Sequence, residues 1–182
     1  MAENSSNKIL LHCCCGPCAS ACVERLLASG RQCQLLFSNS NIDTQEEFEK
    51  RLENLRIVAA HFGLGEVIVD EYRHDDWLRH VSKLPEYAQA PEGGARCALC
   101  FAWSLARAQY FAERYDCAFA TSLTVSPHKN SKLLASIGGQ FARYEHNDFK
   151  KKDGFLRSLQ LSRELALYRQ NYCGCEFSKF RG

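Results

Sequence analysis

The chain has 182 residues, 46% of them hydrophobic and 24% charged, with a formal net charge of +2. That length and composition suit one compact domain burying about 70% of its unfolded surface, and they exclude disorder beyond a short polar start. No apolar run approaches the ~20 residues of a membrane helix, and the acidic, Ser-rich N-terminus lacks a signal-peptide pattern, so a cytoplasmic protein with no membrane partner is expected.

Residues 1–7 read as a flexible polar terminus, followed by short apolar runs alternating with helical patterns. Residues 8–13 are too few for a helix, and Gly16-Pro17 breaks that strand and opens a helix that Gly30 ends. Residues 33–37 form a second strand. Thr44 and Glu47 make a capping box, and Phe48, Leu52, Leu55, Ala59 and Phe62 share one helical stripe before Gly63. Residues 66–70 read as a third strand, Asp75 or Asp76 as the cap of a short helix through Leu84, and Pro85 as its stop, with a loop over 85–94. A helix over 96–115, a strand over 117–121 and a helix opened by Ser126-Pro127 and ended by Gly138-Gly139 follow. A short strand near 142–146, a helix around 158–168 and a terminal Tyr172-Cys173-Gly174-Cys175 element complete the pattern.

Strands alternating with helices predict an α/β fold of three layers with a mostly parallel sheet, whose ligands bind beyond the carboxyl ends of the strands. The polar clusters fall there: the cysteine-rich turn after the first strand, Ser38-Asn39-Ser40-Asn41 after the second, Asp70-Glu71-Tyr72 after the third and Thr121-Ser122-Leu123-Thr124 after the fourth.

Eleven cysteines are an odd count for internal pairing, and in a reducing compartment they point to metal or redox chemistry. The turn that carries glycines in a phosphate-binding protein here reads Cys13-Cys14-Cys15-Gly16-Pro17-Cys18, with neither GxGxxG nor GK[ST] anywhere. Soft thiolates in that place suit iron, an iron–sulfur cluster or zinc. Cys97-Ala98-Leu99-Cys100 puts two more thiols on one helical face, enough with two from the first turn to complete four ligands. Spacing does not separate an iron–sulfur centre from a structural zinc knot.

Cys173-Gly174-Cys175 would close a tight, labile disulfide ring and so suits reversible dithiol redox, the competing readings being further metal ligands or surface thiols. Cys33 and Cys117 read as core thiols and Cys22 as packing. Cys13 ends a strand and has the option of pointing inward, while His12 is either a site residue or a satisfied interior histidine. Asp70, Asp148 and His128 are the candidate proton donors, each with a cap or solvated group as its plainer reading. Tyr72, Trp77 and Tyr172 are candidates for stacking on an unpaired base or for the core. Residues 150–182 carry eight Lys/Arg against three Asp/Glu, a segment charge of +5 against −3 for the rest, which suits a polyanion such as RNA.

The motifs Leu11-His12-Cys13-Cys14-Cys15-Gly16-Pro17-Cys18, Asn41-Ile42 with Glu46-Glu47-Phe48, Pro91 through Cys100, Thr124-Val125-Ser126-Pro127-His128-Lys129-Asn130 and Leu167 through Cys175 together resemble the cobalamin-independent epoxyqueuosine reductase family, QueH, over nearly the whole chain. The resemblance implies a Rossmann-like, adenine-nucleotide-hydrolase-like fold. It also implies an oxidoreductase of queuosine biosynthesis that reduces epoxyqueuosine at the tRNA wobble position. By motif matching it implies a 4Fe–4S cluster on Cys14, Cys15, Cys97 and Cys100 and a redox-active Cys173/Cys175 disulfide pair. Two positions depart from the family's usual pattern, Cys13 where an aliphatic residue stands and Gly16 where alanine stands. The extra thiol leaves either Cys13 or Cys18 as a ligand of an additional mononuclear iron. The partners expected are tRNA, held through Lys150, Lys151, Lys152 and Arg157, and an unidentified electron donor. The rival readings are an iron–sulfur tRNA sulfur transferase, which would need ATP and a phosphate loop, and a zinc-stabilised RNA-binding module.

Overall fold

The computed structural model describes residues 7–179. Residues 1–6, most of the polar start, and residues 180–182, which hold the last basic residue Arg181, lie outside it. Four strands, β1 (Lys8–His12), β2 (Gln32–Phe37), β3 (Ile68–Val69) and β4 (Ala118–Thr121), pair in parallel in the order β3-β2-β1-β4. Because neighbouring strand residues face opposite sides, the unbroken apolar run of β1 is buried from both. Ile9 and Leu11 join Leu35 and Phe37 in a core under α1 (Gly16–Ala28) and α2 (Gln45–His61). Leu10, Leu36 and Phe119 join a second core under α4 (Ala95–Arg114) and α5 (Ser131–Gly138). A third helix, α3 (His74–Val81), packs on α4, and α6 (Gly154–Glu164) packs on α1. The architecture is the expected three-layer, Rossmann-like α/β sheet.

Local signals set the secure elements. The Thr44 side chain caps α2 by accepting the Glu47 N–H at 3.2 Å, as the capping box requires. Cys33 and Cys117 pack against the two cores, and the buried Cys22 thiol donates to the Cys18 carbonyl at 3.2 Å. Gly16 abuts α2 so closely that a Cβ there would lie 2.7 Å from the Asn54 carbonyl oxygen, so the position takes glycine.

Other expectations are corrected. Neither Asp75 nor Asp76 caps α3: the helix starts at His74 behind Arg73, which makes no capping bond. It is fixed instead by the His74 Nδ1 contact with the Ser40 carbonyl at 2.9 Å and by burial of Trp77 and Val81. Ser126-Pro127 does not open α5. That segment follows a short 3-10 helix (Ser122–Val125), and the Asn130 side chain caps α5 by accepting the N–H groups of Lys132 and Leu133 at 3.0 and 3.1 Å. The third strand shrinks to two residues, and the last becomes a single parallel bridge between Phe119 and Tyr144. The final helix begins at Gly154 and ends at Glu164, earlier at both ends than its apolar spacing predicts. Asn7, the one described residue of the expected flexible terminus, is tied down by the Gln32 N–H, which donates to its carbonyl at 2.9 Å. No helix among the described residues is long and apolar enough to cross a membrane.

Candidate metal and redox centre

The strand order reverses beside β1, where a crevice opens between the turns after β1 and β4. The two turns are joined there: the Cys14 N–H donates to Ser122 Oγ at 3.2 Å, and the same hydroxyl lies 3.6 Å from Cys14 Sγ. Cys15 is the N-cap of α1, its sulfur accepting the Cys18 N–H at 3.4 Å. One α-helical turn therefore gathers Cys14, Cys15 and Cys18, whose sulfur atoms all lie within 4.8 Å of one another. Cys14 and Cys15 Sγ are 3.9 Å apart, close to the spacing of two thiolates on one tetrahedral ion with bonds of about 2.3 Å. Hydrogen bonds from the Cys14 and Cys18 thiols outweigh burial and hold the Cys15 thiol well below its ordinary range, with Gln170 adding to the effect. Three soft donors at the positive end of a helix fit a thiolate-bound iron or zinc.

Cys13 takes no part in this trio. Its side chain is buried in the α1–α2 core, its thiol donates to the Leu11 carbonyl at 3.2 Å, and burial pushes the thiol well above its usual range. It packs as an aliphatic side chain would, so of the two thiols expected at an additional metal only Cys18 stands beside Cys14 and Cys15.

In front of the trio lies a cavity of about 570 Å³, onto which Cys14, Cys18, Cys100, Cys173, His128 and Lys129 face. Cys97 and Cys100 come from the first turns of α4 and stand outside the close trio. With Cys173, Cys175 and Trp77 they line an adjoining apolar recess. Burial raises the thiols of both Cys97 and Cys100, while the Gly93 N–H donates to Cys97 Sγ at 3.2 Å.

Cys173 and Cys175 are free thiols with different surroundings. The Cys173 sulfur lies 3.5 Å from the Lys129 ammonium, whereas Cys175 is buried against Ser178 and its thiol is raised by that burial. Gly174 sits between them at φ +138°, where a Cβ would come within 3.2 Å of Arg51 and 3.3 Å of Asn41, so the sharp bend requires glycine. Arg51 anchors the segment: fully buried and paired with Glu47 at 2.7 Å, it donates to the Cys173 carbonyl at 2.9 Å and the Tyr172 carbonyl at 3.4 Å.

Of the three expected proton donors only His128 faces the cavity, from an exposed position on its rim. Asp70 lies elsewhere and is held as a carboxylate. Burial alone would raise it, but Arg107 at 2.7 and 2.8 Å and Ser38 at 2.7 Å outweigh that and lower it. Asp148 is likewise outside the cavity, its Oδ1 accepting the Lys150 N–H at 3.3 Å. His12 is both buried and at the cavity wall, and burial keeps it neutral: Nε2 donates to the Ser38 carbonyl at 3.1 Å and Nδ1 accepts from Thr121 Oγ1 at 3.0 Å. Tyr72 is a packing residue bonded to the Ile42 carbonyl at 2.7 Å, and Trp77 is fully buried in the wall of the recess, closed to a stacking base. Tyr172 lines the cavity with its hydroxyl on Asp43 at 2.8 Å. Arg157 is paired with Glu24 at 2.7 and 2.8 Å on the surface, while Lys151 and Lys152 are exposed and Lys150 Nζ donates to the Lys129 carbonyl at 2.9 Å.

Sequence reasoning missed three polar residues of the site. Lys129 sits inside a quoted motif, yet nothing in its neighbours signals that its ammonium enters the crevice. Burial would lower it, and the sulfur atoms of Cys173, Cys14 and Cys18 raise it above its ordinary value instead. Arg51 is spaced four residues from Glu47, a pattern that reads as an ordinary surface pair. Gln170 acts on Cys15 and leaves its Oε1 buried without a partner.

A family model described as epoxyqueuosine reductase QueH matches residues 9–181. Among curated proteins named epoxyqueuosine reductase QueH, that of Thermotoga maritima is 34% identical over 176 residues, covering 93% of this chain and 89% of the relative. That of Streptococcus pyogenes serotype M1 is 33% identical over 187 residues, covering 97% and 72%. That of Acinetobacter baylyi is 32% identical over 184 residues, covering 96% and 82%. A match that spans every described element from β1 onward, together with the cysteine-lined crevice, places this chain in the QueH family of epoxyqueuosine reductases.

Proposed function

We propose that the protein reduces the epoxide of epoxyqueuosine, at the wobble position of tRNA, to the alkene of queuosine. The epoxide carbons gain two electrons, the oxygen takes up two protons and leaves as water, and the carbon–carbon double bond forms. The observation that carries this reading is the gathering of a three-thiol group, the Cys97/Cys100 pair, the Cys173/Cys175 pair and the Lys129 ammonium around one crevice and the recess that adjoins it. That is an assembly for moving electrons and protons, and a structural zinc knot needs neither a dithiol nor a cavity.

Cys14, Cys15, Cys97 and Cys100 would hold the 4Fe–4S cluster and Cys18 an adjacent iron. When bound, these centres supply single electrons and a Lewis-acidic site for the epoxide oxygen. The cavity of about 570 Å³ is where the modified base would enter, in front of the three-thiol group. Lys129 would offset the negative charge that develops on the leaving oxygen, and His128 stands at the rim as the side chain placed to relay a proton. Cys173 and Cys175 accept and release the electron pair as a dithiol and disulfide, recharged by an external donor. Lys150, Lys151 and Lys152, near the Lys129 side of the mouth, would take tRNA phosphates.

The reading is tested by expressing the chain in bacteria that lack their own epoxyqueuosine reductase and measuring the nucleosides of hydrolysed tRNA. Queuosine should replace epoxyqueuosine. Retention of epoxyqueuosine with the protein present and iron-loaded contradicts the proposal.

A further inference from the structure

Trp77 has an indole N–H with no hydrogen-bond partner, on a side chain only 1% exposed. A buried donor left without an acceptor is destabilising, which calls for an acceptor that the functional state supplies. The ring is fixed on all sides. It stacks on His74 at 5.4 Å between centroids, lies 6.5 Å from Phe177, and packs with Val81 and Cys175 under α4. Trp77 shares the apolar recess with Cys97, Cys100, Cys173 and Cys175, and Cys100 packs from α4 against the buried cluster that Trp77 forms with Val81 and Cys175. A neutral Cys100 thiol is a weak acceptor, whereas a metal-bound thiolate is a strong one.

We propose that Trp77 is a positioning residue of the metal centre, its indole N–H donating to the Cys100 sulfur when that sulfur is a ligand. The inference deepens the proposed function and rests on Cys100 being a cluster ligand. Hydrogen bonds to ligand sulfur stabilise the reduced, more negative state and raise the reduction potential, and loss of such an outer partner typically weakens metal binding 10–100-fold. The feature was visible in the sequence only as one of three aromatics grouped for base stacking, because nothing local tells a buried tryptophan's N–H which sulfur it will meet.

The test uses the full chain purified anaerobically as wild type, Trp77→Phe and Trp77→His, the histidine keeping a ring N–H. Iron, acid-labile sulfide, thermal unfolding and the midpoint of a dithionite-monitored redox titration are measured for each. In Trp77→Phe the midpoint should move to more negative potential, or iron should leave to a chelator at least tenfold faster, and Trp77→His should recover much of the loss. A Trp77→Phe protein with full iron, an unmoved midpoint and an unchanged chelation rate overturns the inference. So does equal metal loss in both variants, which assigns the effect to ring packing. If wild type holds zinc without sulfide, it is the cluster reading that fails, and the same three-way chelation comparison on zinc still decides the role of Trp77.

Discussion

Replacing Asp70 with asparagine should unfold the protein sooner without disabling its chemistry. The carboxylate accepts four hydrogen bonds: from Arg107 Nε at 2.8 Å and its terminal nitrogen at 2.7 Å, from Ser38 Oγ at 2.7 Å and from the Glu71 N–H at 2.9 Å. They pin the end of β3 to α4, the helix that carries Cys97 and Cys100. Asparagine keeps one acceptor oxygen and loses the charge, so the Arg107 fork is broken and one acceptor is replaced by a donor. Hydrogen bonds to charged groups contribute about 1.5–3 kcal/mol each. Arg107 is 35% exposed and partly rehydrates, which brings the expected net loss to about 2–3 kcal/mol, or roughly 5–10 °C in Tm for a domain of this size. The pH dependence has a definite sign. Because Arg107 and Ser38 outweigh burial and depress the folded carboxyl, its stabilisation is complete above the unfolded value of about 3.9 and is lost as pH falls through the lower folded value. Urea unfolding of wild type and Asp70→Asn at pH 7 and at falling pH should therefore give curves that converge in acid. Turnover per metal-loaded molecule should fall less than about threefold. A hundredfold loss of turnover with unchanged stability at pH 7 would refute the clamp and restore Asp70 as the proton donor.

Cys13→Ala should cost about 1–2 kcal/mol as a core truncation while leaving bound iron unchanged, whereas Cys18→Ala should lower iron content, both read by metal analysis beside thermal melts. Gly16→Ala should destabilise by about 1–3 kcal/mol through the 2.7 Å approach to the Asn54 carbonyl, and an unchanged denaturant midpoint would mean that α1 and α2 separate freely. Lys151→Ala and Lys152→Ala should each weaken tRNA binding and reduce the slope of log affinity against log salt by about one. Arg157→Ala should leave both unchanged because Glu24 holds its side chain, and the reverse pattern in filter-binding titrations would displace the tRNA contact from the lysines.

The layers and the site's position were readable because they rest on local signals. The apolar run of β1, the capping box at Thr44 and the cysteine-rich turn after β1 each act within a few residues, and strand alternation then places the crevice. The misread boundaries are those that tertiary contacts decide. α3 begins under Ser40 rather than at its own aspartates, and Asn130 outcompetes Ser126-Pro127 as a cap because only its side chain reaches two free N–H groups. The same limit applies within the site. Cys13 and Cys18 look alike in sequence, but the pleat of β1 turns Cys13 into the core while the first helical turn returns Cys18 to Cys14 and Cys15. Charge alone marked Arg157 for RNA, and its partner Glu24 is 133 residues away. Lys129 and Trp77 became site residues only once distant segments had closed around them.

The most direct measurement is a single-protein turnover assay. Anaerobically purified protein with matched iron and sulfide is mixed with tRNA carrying epoxyqueuosine and dithionite, and the digested nucleosides are separated by mass. The account predicts conversion to queuosine with loss of one oxygen atom, absent in Cys14→Ser and Cys100→Ser. Unchanged epoxyqueuosine from fully loaded, dithionite-reducible protein would contradict it.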